Sequence, residues 1–576
     1  MHLKITRSGP RTYLQIVQAY RDPETRRPKQ RHIASLGRLD HLSEKDLDSL
    51  INGLLKVTNR PTLDELARGI SSETTTFEPA LQLGDVWAIL QIWQQLKLAQ
   101  NIARKVGGRR HAIDYEKLVR VMVINRLSEP RSKLGLLRWL EQVYLPGIDR
   151  SQVTHQNLLR AMDLLLEQKE AIERDLVGTL LPLFDTEMEV VFYDITTVRV
   201  HGEGEEEGDL RRFGRSKDVD GIERQYAVGV VQTADGFPVT HEVFEGNISE
   251  TTTVKGMVTR LCERFPIRRL VFVADRAMLS VDNLEELEKI TLPGGGSVEY
   301  ILAVPARRYR KMTADLSGIH LRLLEEARKT GEEAVHEVEM EGGRRLVVAH
   351  SPEIARRSRR MRARRVVEAL RVARKLAEKL NGQDEGRLSR GRRLSDSGAK
   401  ISFSKVLAEK KLTRLIKIEL EDDIFGWYWD VEELKQELEL DGKLILVTNV
   451  RDLPAAALVR QYKDLADIER GFRVLKSQIE IAPVHHRLPE RIRAHTFICF
   501  LALVIQRVMR YRLKKNGFPM SPEELLHRLK AVQHHRVRLA TGKALEGVTT
   551  VRPEQQELFD AIGVEKPTAK RLRNGV

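Results

Sequence analysis

The stretch Val190-Val191-Phe192-Tyr193-Asp194 sets an apolar run against a single carboxylate at its end. A second run, Leu270-Val271-Phe272-Val273-Ala274, is followed in the same way by Asp275. Short apolar runs of this kind are typical of buried strands, and a third carboxylate, Glu469, lies in a helical-looking stretch from Tyr462 to Lys476. Hard divalent cations prefer oxygen ligands, and two such ions can hold the attacking and leaving oxygens of a phosphoryl transfer. The pattern predicts a two-metal phosphoryl-transfer site with Asp194 and Asp275 at strand ends.

The composition points to a polyanionic partner. The 576 residues include 97 Lys and Arg against 82 Asp and Glu, a net charge of +15. An excess of this size favours nucleic acid; a basic protein without such a partner is the alternative. Hydrophobic residues make up 41% of the chain, which is enough for a substantial core, and the length predicts roughly four domains.

The cysteines and the apolar segments indicate the cellular compartment in which the protein works. Cys262 and Cys499 are far apart, so we expect neither a disulfide framework nor a cysteine-based zinc site within the chain. Residues 1–7 lack the apolar core of a signal peptide. The most apolar run, 496–505, is too short to span a bilayer. These features predict a cytoplasmic protein in a reducing compartment, with no membrane partner.

Changes in periodicity divide the chain into six regions. In order they are a β-hairpin and helix module (1–75), a helical DNA-binding region with basic faces (79–185), the first part of a mixed-sheet core (187–305), an insertion domain (306–440), the second part of the core with the Glu469 helix (441–513), and a C-terminal helical tail (514–576). In the core, three antiparallel-looking strands precede helix-separated strands, which predicts an α+β arrangement. Inside the insertion we expect a hairpin turned at 342–343, a long charged helix over 352–381 and a linker over 382–400.

Each carboxylate alone is explained by a turn, a cap or a solvated helix face. Their combination is informative because the first and fourth core strands lie side by side in a ribonuclease-H-like fold. The chain resembles bacterial insertion-sequence transposases of the DDE class, in the group with a Tyr-x2-Arg-x3-Glu-x6-Lys signature. The residues that carry the resemblance are the segments Tyr193–Thr197, Val273–Arg276 and Tyr462–Lys476, the stretch Pro483–His495 after the Glu, and Asn125-Arg126-Leu127 with Ser132-Lys133 and Trp139 in the helical region.

The resemblance implies a multidomain α+β protein with a ribonuclease-H-like catalytic core, an inserted strand-containing domain and an N-terminal helical region. It implies Mg²⁺, or Mn²⁺ in its place, held by Asp194, Asp275 and Glu469. The expected activity is cleavage at the insertion-sequence ends followed by transfer of the freed 3′-hydroxyl strands into target DNA. The partners it implies are double-stranded transposon-end DNA with inverted repeats, target DNA, and a second copy of the chain in a homodimeric synaptic complex. The expected location is the bacterial cytoplasm, in association with the nucleoid.

One signature position differs in this chain. Leu465 stands where the signature has Arg. On one continuous helix, the five positions from Tyr462 to Lys476, spaced 3, 4, 4 and 3 residues apart, share a face. We therefore expect Arg473, one turn beyond Glu469, to supply the missing phosphate contact. The alternative is that Arg473 pairs with Asp467 or Glu480.

Further residues are predicted to contact DNA. Thr196 shares a strand face with Asp194 and either orients that carboxylate or touches DNA, while Lys476 is expected to bind a phosphate. In the insertion, Trp427 and Trp429 share a strand face and either form its core or stack a flipped base. The remaining candidates for DNA contact are Tyr462, Arg276, Arg356, Arg357, Arg359 and Arg360. The pairs 485–486 and 534–535 of histidines are expected at the surface or on the DNA backbone rather than on a metal.

Two other functions remain open. A ribonuclease-H-like nuclease would hydrolyse DNA without strand transfer. A DNA-binding protein derived from a transposase would have lost its catalytic site, although the three carboxylates argue against that.

Overall fold

The computed structural model describes residues 1–23, 26–65, 76–106, 113–184, 189–202, 208–216, 221–265, 267, 269–274, 281–292, 295–304, 319, 321–340, 343–387, 393–421, 424–539 and 542–574. The strands are β1 His2–Ser8, β2 Arg11–Arg21, β3 Pro28–Arg38, β4 Thr76–Phe77, β5 Leu81–Gln82, β6 Val190–Arg199, β7 Arg212–Arg215, β8 Ile222–Thr233, β9 Pro238–Glu245, β10 Val271–Ala274, β11 Glu299–Ala303, β12 Ala334–Glu339, β13 Arg345–His350, β14 Ile416–Glu421, β15 Ile424–Trp429, β16 Lys443–Thr448, β17 Gln533–Arg538 and β18 Ala544–Val548. The helices are α1 Glu44–Val57, α2 Gly84–Gln95, α3 Leu98–Val106, α4 Tyr115–Ser128, α5 Lys133–Trp139, α6 His155–Glu167, α7 Lys169–Phe184, α8 Glu250–Arg264, α9 Val281–Glu288, α10 Pro352–Asp384, α11 Asp396–Glu409, α12 Val431–Leu440, α13 Ala455–Asp464, α14 Ala466–Ser477, α15 Pro489–Lys515, α16 Pro522–Leu529, α17 Pro553–Ala561 and α18 Ala569–Asn574.

The N-terminal module is a three-stranded antiparallel sheet followed by α1. Strands β2 and β3 form the predicted hairpin, whose turn residues Glu24 and Thr25 lie outside the described residues. Ser43 and Asp46 cap α1 reciprocally, so the predicted helix start is confirmed. Strand β1 was not predicted. Its Leu3 and Ile5 alternate with polar residues, but the strand is exposed along almost its whole length.

A nine-stranded mixed sheet forms the centre of the molecule. Its order is β12-β13-β16-β11-β10-β6-β8-β7, with β9 also paired to β8. Strands β6, β8 and β9 are antiparallel neighbours, whereas β10 lies parallel to β6 and β11 parallel to β10. Among the five predicted strands of 187–305, the spatial order is therefore third, second, first, fourth, fifth. The first and fourth lie side by side as predicted, and the α+β class is confirmed.

Strand β6 is buried on both sides of this sheet. On one face Phe192 and Val198 join a large core shared with the helices of the 79–185 region and with α14 and α15. On the other face Val191, Tyr193 and Ile195 pack under α8 and α9. Residues of β6 therefore alternate strictly between two cores, and a shift of register by one would reverse every side chain.

Close packing against Tyr193 of β6 requires glycine at position 229 of the neighbouring strand β8. A Cβ atom at Gly229 of β8 would lie 2.7 Å from the Tyr193 hydroxyl, which itself donates a hydrogen bond to Thr253 of α8 at 3.0 Å. Only glycine leaves room for the ring. Burial raises the pKa of Tyr193, so the hydroxyl stays protonated and can donate.

Helix α15 is the most apolar element. Its 27 residues are long and apolar enough to cross a membrane, which corrects the expectation drawn from the shorter run 496–505. However, 94% of its most apolar window is buried inside the protein, against α4, α6 and β9. The helix thus forms the centre of the larger core and joins the helical region to the sheet.

The insertion differs from its sequence-based outline. The predicted hairpin, β12–β13, extends the central sheet through pairing of β13 with β16, so it does not belong to a separate unit. The separately packed part begins at α10 and has its own core around Phe403, Leu412 and Phe425. Helix α11 begins at Asp396, inside the segment predicted as a linker, with Ser395 as its N-cap. Its Gly- and Ser-containing start concealed the helix.

The C-terminal region is not purely helical. Strands β17 and β18 form a small sheet with β4 and β5. Farther along, the Trp87 indole donates to the carbonyl of Glu565 at 2.7 Å. The predicted helical tail over 514–576 is therefore wrong for residues 533–548. Their charged sequence lacks the apolar alternation by which a strand is recognised.

Candidate active site

Asp194 lies in the middle of β6 rather than at its end. The strand continues to Arg199 because Ile195, Thr196, Thr197 and Val198 favour extended backbone and pair with β8. The carboxylate is half-buried, and its Oδ1 accepts the Ile195 N–H at 2.7 Å. By the alternation of β6, Asp194 shares the face of Phe192 and Val198, on the side of the larger core.

The parallel partner of β6 stops one residue short of this position in the described chain. Ala274, the last residue of β10, is in register with Tyr193. Asp275 and Arg276, which follow Ala274 in the sequence, lie outside the described residues. Ligands of open sheets bind beyond the carboxyl ends of parallel strands. Asp194 lies one residue beyond the position that is in register with Ala274, the last described residue of β10.

Glu469 is carried by a helix that packs on the same strand. Helix α14 lies against β6, and its buried residues Ile468, Phe472 and Leu475 belong to the core that contains Phe192. Glu469 itself is exposed. The structure therefore brings the helix of Glu469 onto the sheet face on which Asp194 lies.

The signature stretch is not one continuous helix. Helix α13 ends at Asp464, α14 begins at Ala466, and Leu465 between them is only 5% exposed. Tyr462 packs partly buried against the same core. The expectation that all five signature positions share one face of a continuous helix is wrong, because the helix is interrupted at Leu465, whose apolar side chain packs at the junction of the two helices. An arginine at 465 would bury a charge there.

Arg473 and Lys476 follow Glu469 along α14. Arg473 is exposed and, in the described part of the chain, has no ion pair with Glu480 or any other acid. The side chain of Asp467, the other predicted partner, lies outside the described residues. Lys476 is half-buried. Glu469, Arg473 and Lys476 are spaced as neighbours on one helix face.

Two regions of the chain match known families. Residues 185–505 match the model of the transposase DDE domain, and residues 3–67 match that of the IS1634 family transposase N-terminal domain. The first match covers more than half of the chain. The chain belongs to the DDE transposases. No curated protein matches it significantly.

Transposases of this family normally use divalent metal ions. Within the described residues, which exclude Asp275, no group of three or more His, Cys, Asp or Glu side chains could hold a metal. The donor set itself fits the group, since Asp194, Asp275 and Glu469 offer carboxylate oxygens and no sulfur or imidazole, the preference of Mg²⁺ and Mn²⁺.

Thr196 is buried, whereas a residue that contacts DNA must be exposed. It is 3% exposed, two residues along from Asp194 on the same face. Direct contact with DNA is therefore wrong for this residue in the conformation described. A role in supporting the carboxylate of Asp194 remains a prediction.

The arginines of α10 fall into two classes. Arg362 is buried and binds the carboxylate of Asp441 with both terminal nitrogens, while Arg359 lies 3.4 Å from the same group. In contrast, Arg356, Arg357 and Arg360 are exposed on one side of α10, together with Arg364. The two classes differ because Asp441, which is distant in sequence, binds Arg362 and Arg359. The spacing of the arginines along α10 therefore could not predict which of them are exposed. Arg359 is thus partly structural, and the exposed group retains its predicted role.

The two tryptophans of β15 also differ. Trp427 is half-buried, with its ring centroid 6.0 Å from that of Phe403 and 5.6 Å from that of Phe425. Trp429, two residues farther along the same face, is 39% exposed. Trp427 belongs to the insertion core, and Trp429 is the ring that remains accessible for stacking.

One histidine of each pair is exposed as predicted: His485 and His535 lie at the surface, whereas His486 is partly buried and His534 is buried. His534 is 5% exposed and stacks on Tyr144, with ring centroids 3.8 Å apart. Burial, together with the nearby charge of Lys133, lowers the pKa of His486 to about 4. Lys133, predicted to lie on a basic face of the helical region, is itself buried; Arg109 and Arg110, also predicted there, lie outside the described residues.

We expect the exposed arginines of α10 to contact DNA phosphates. Replacing Arg356, Arg357 and Arg360 together by Ala should flatten the plot of log affinity against log salt by ~2 to 3, at nearly one unit for each lost contact. The measurement is equilibrium binding of duplex DNA at several salt concentrations. Arg362→Ala is the matched control: it should destabilise the insertion by leaving the buried carboxylate of Asp441 with only Arg359 beside it, with little effect on the slope. An unchanged slope in the triple variant would contradict the assignment.

Proposed function

We propose that this transposase cleaves the ends of its insertion sequence and transfers the freed 3′-hydroxyl strands into target DNA. The observation that carries the proposal is the position of Asp194 on the central strand, on the face covered by the helix of Glu469. The strand order of the sheet supports a ribonuclease-H-like catalytic core, with Asp275 following the strand next to β6. We propose the predicted division of the chain with two changes: the separate insertion unit starts at α10, and the C-terminal region contains β17 and β18 as well as helices.

The three carboxylates form the proposed metal site. Asp194 and Asp275 come from neighbouring parallel strands, and Glu469 comes from α14, so rigid elements hold at least the first and last of them. The chemistry that Mg²⁺ or Mn²⁺ supplies when bound there is neutralisation of charge on the phosphate and a lower pKa for the attacking water. Thr196 is placed to support the backbone and carboxylate of Asp194 from within the core.

The proposed reaction has two steps. In the first, water attacks the phosphorus at the element end, the bond from phosphorus to the 3′-oxygen breaks, and the oxygen leaves as a 3′-hydroxyl. In the second, that hydroxyl attacks a phosphodiester of target DNA, a new bond to phosphorus forms, and the target strand leaves with its own 3′-hydroxyl. One phosphodiester is exchanged for another in the second step, so no external energy source is required.

The remaining contacts come from exposed side chains. We propose that Arg473 and Lys476 hold phosphates beside the reacting one, that Tyr462 supports the same groove, and that Trp429 stacks a flipped base. The proposed partners are double-stranded inverted-repeat ends, target DNA, and a second copy of the chain in a homodimeric synaptic complex. The setting we propose is the bacterial cytoplasm at the nucleoid.

Carboxylate-to-amide substitutions test the core proposal. Asp194→Asn and Glu469→Gln preserve shape but remove charge, so each should abolish cleavage of the element's own inverted-repeat ends in Mg²⁺ while leaving end binding largely intact. Glu480→Gln, an exposed carboxylate outside the site, is the control. Near wild-type cleavage in either site variant would refute the assignment. Hydrolysis without strand-transfer products from the wild type would favour the nuclease, and absence of metal-dependent nicking would favour a DNA-binding derivative.

Arg473→Ala tests the altered signature. A charge-assisted hydrogen bond to phosphate contributes on the order of 1.5–3 kcal/mol, so cleavage or end binding should fall by about tenfold to 150-fold. The matched control is Arg528→Ala, which removes an exposed arginine paired with Glu524 one turn away and should change neither quantity. A silent Arg473→Ala at low salt would leave Lys476 as the only phosphate contact of α14.

The two tryptophans offer a matched pair. Trp429→Ala should slow end processing without altering the unfolding transition, because the exposed ring contributes stacking rather than packing. Trp427→Ala should instead lower the stability of the insertion, since it removes contacts with Phe403 and Phe425. Circular dichroism and single-turnover cleavage on the same preparations distinguish these outcomes. Equal loss of stability in both variants would make Trp429 part of the core.

A further inference from the structure

A cleft lined by basic and imidazole groups lies beside the start of α15, away from the carboxylates. Its volume is about 680 Å³, and its walls come from α4, α5, α6 and residues 480–491. The side chains relevant here are Arg126, Lys133, His155, His486, Arg491 and His495. Glu480 contributes the single carboxylate-bearing residue of the lining and is exposed.

Lys133 is the unusual member of this group. It is 7% exposed, and no hydrogen bond or ion pair to its ammonium group occurs among the described residues. Burial and the neighbouring charge of Arg126 lower its pKa to about 7. A buried ammonium without an anion is costly. Arg362, equally buried, has Asp441 as its partner, so the two sites differ in the absence of an acid beside Lys133.

Two of the groups around Lys133, Arg126 and His495, are held in place by backbone carbonyls, while Arg491 is paired with Asp163 at 3.6 Å. Arg126 is 6% exposed and donates to the backbone carbonyls of Ile479 at 3.4 Å, Glu480 at 3.2 Å and Arg131. His495 is bound through Nε2 to the Ile481 carbonyl at 3.1 Å, and its Nδ1 has no partner among the described residues. Because Nε2 of the neutral His495 ring donates to that carbonyl, its Nδ1 is an acceptor and offers nothing to an anion. The cleft's capacity for an anion comes from the fixed charge of Arg126 and from the ammonium group of Lys133.

The cleft is tied directly to the strand of Asp194. The His201 N–H donates to the Val484 carbonyl at 2.9 Å, and the Val484 N–H donates to the Arg199 carbonyl at 3.3 Å. The His201 and His485 rings stack 5.1 Å apart. Seven residues at ~3.3 Å each put this end of the strand roughly 23 Å from Asp194, which is about seven base pairs of B-DNA.

We propose that this cleft binds a phosphate group of the transposon-end DNA backbone, with Lys133 as its central ligand. That the bound phosphate belongs to DNA rests on the proposed function, whereas the binding of a phosphate group as such does not. The contact would fix the register of the duplex several base pairs from the reacting phosphate. Free phosphate shares the same chemistry and is distinguished by the experiment.

Thermal unfolding of the full chain in EDTA tests the site without any catalysis. Inorganic phosphate, compared with chloride at equal ionic strength, should raise Tm by about 2 °C or more. Lys133→Met, which keeps the volume and removes the charge, should raise Tm in phosphate-free buffer and abolish the phosphate-dependent rise. Lys443→Met is the control, because burial also lowers the pKa of Lys443, to about 8, yet it lies on β16 outside the cleft; it should keep that rise.

The contrary outcomes are distinct. No phosphate-dependent rise in the wild type, a full rise in Lys133→Met, or unfolding of Lys133→Met would each overturn the proposal, the last because it would make the lysine a structural residue. Lys133→Arg, which retains the charge, should keep part of the rise.

Binding of a 20-base-pair duplex in EDTA identifies the source of the phosphate. Lys133→Met should weaken binding and lower the salt slope by about one unit, whereas Lys443→Met should behave as the wild type in both assays. A lost phosphate response with an unchanged DNA slope would overturn the DNA source and leave a free-phosphate site. Because neither assay uses cleavage, failure of the transposase mechanism would be seen separately.

Discussion

The pairing of β6 with its two neighbours is the constraint on which the proposed site depends. Hydrogen bonding to β8 runs along the whole strand, whereas parallel pairing to β10 reaches only Tyr193 in the described chain. Asp194 is therefore fixed by a continuous hydrogen-bond ladder to β8, in which it is paired with Val230. The tight contact between Tyr193 and Gly229 locks the face behind it. A carboxylate that must meet a phosphate within fractions of an ångström benefits from this rigidity.

The second constraint is the way α14 is seated. Its apolar residues enter the core above β6, and Leu465 anchors its start, so the exposed residues Glu469 and Arg473 are directed away from that core. The departure from the signature at 465 is thus compatible with a working site. The apolar residue adds packing at the junction between α13 and α14, and positive charge is available one turn beyond Glu469. The residue that anchors the start of α14, Leu465, and the residue that we propose to contact phosphate, Arg473, are therefore at different positions.

Much of the fold could be predicted from periodicity, and the misses share a cause. Helix α8 and the strand pairs of the core follow from apolar alternation, and the α1 start follows from Ser43 and Asp46. The strands β1, β17 and β18 are mostly exposed and are stabilised by backbone pairing rather than by burial, so no long apolar run marks them. The end of β6 was misplaced because an acidic residue was read as a boundary, although the β-branched residues after it continue the strand. In the site, the residue types were predictable, but whether a side chain is exposed depends on partners distant in sequence.

The basic side chains of this protein differ in whether they have a buried acidic partner. Arg362 has Asp441, and the buried Glu173 beneath β9 has His241 at 2.9 Å and Lys169 at 3.4 Å. In each case removal of one partner would leave an uncompensated charge, so these groups maintain the fold. Arg356 and Arg473 have no acidic partner in the described chain but are hydrated at the surface. Lys133 is buried and has no acid beside it among the described residues, and such a position is stable only if its charge is partly lost or if an anion binds. The cations behind the net charge of +15 therefore have different environments. Some are paired with buried acids and stabilise the fold, others are exposed and accessible to DNA, and Lys133 is buried without an acid beside it among the described residues.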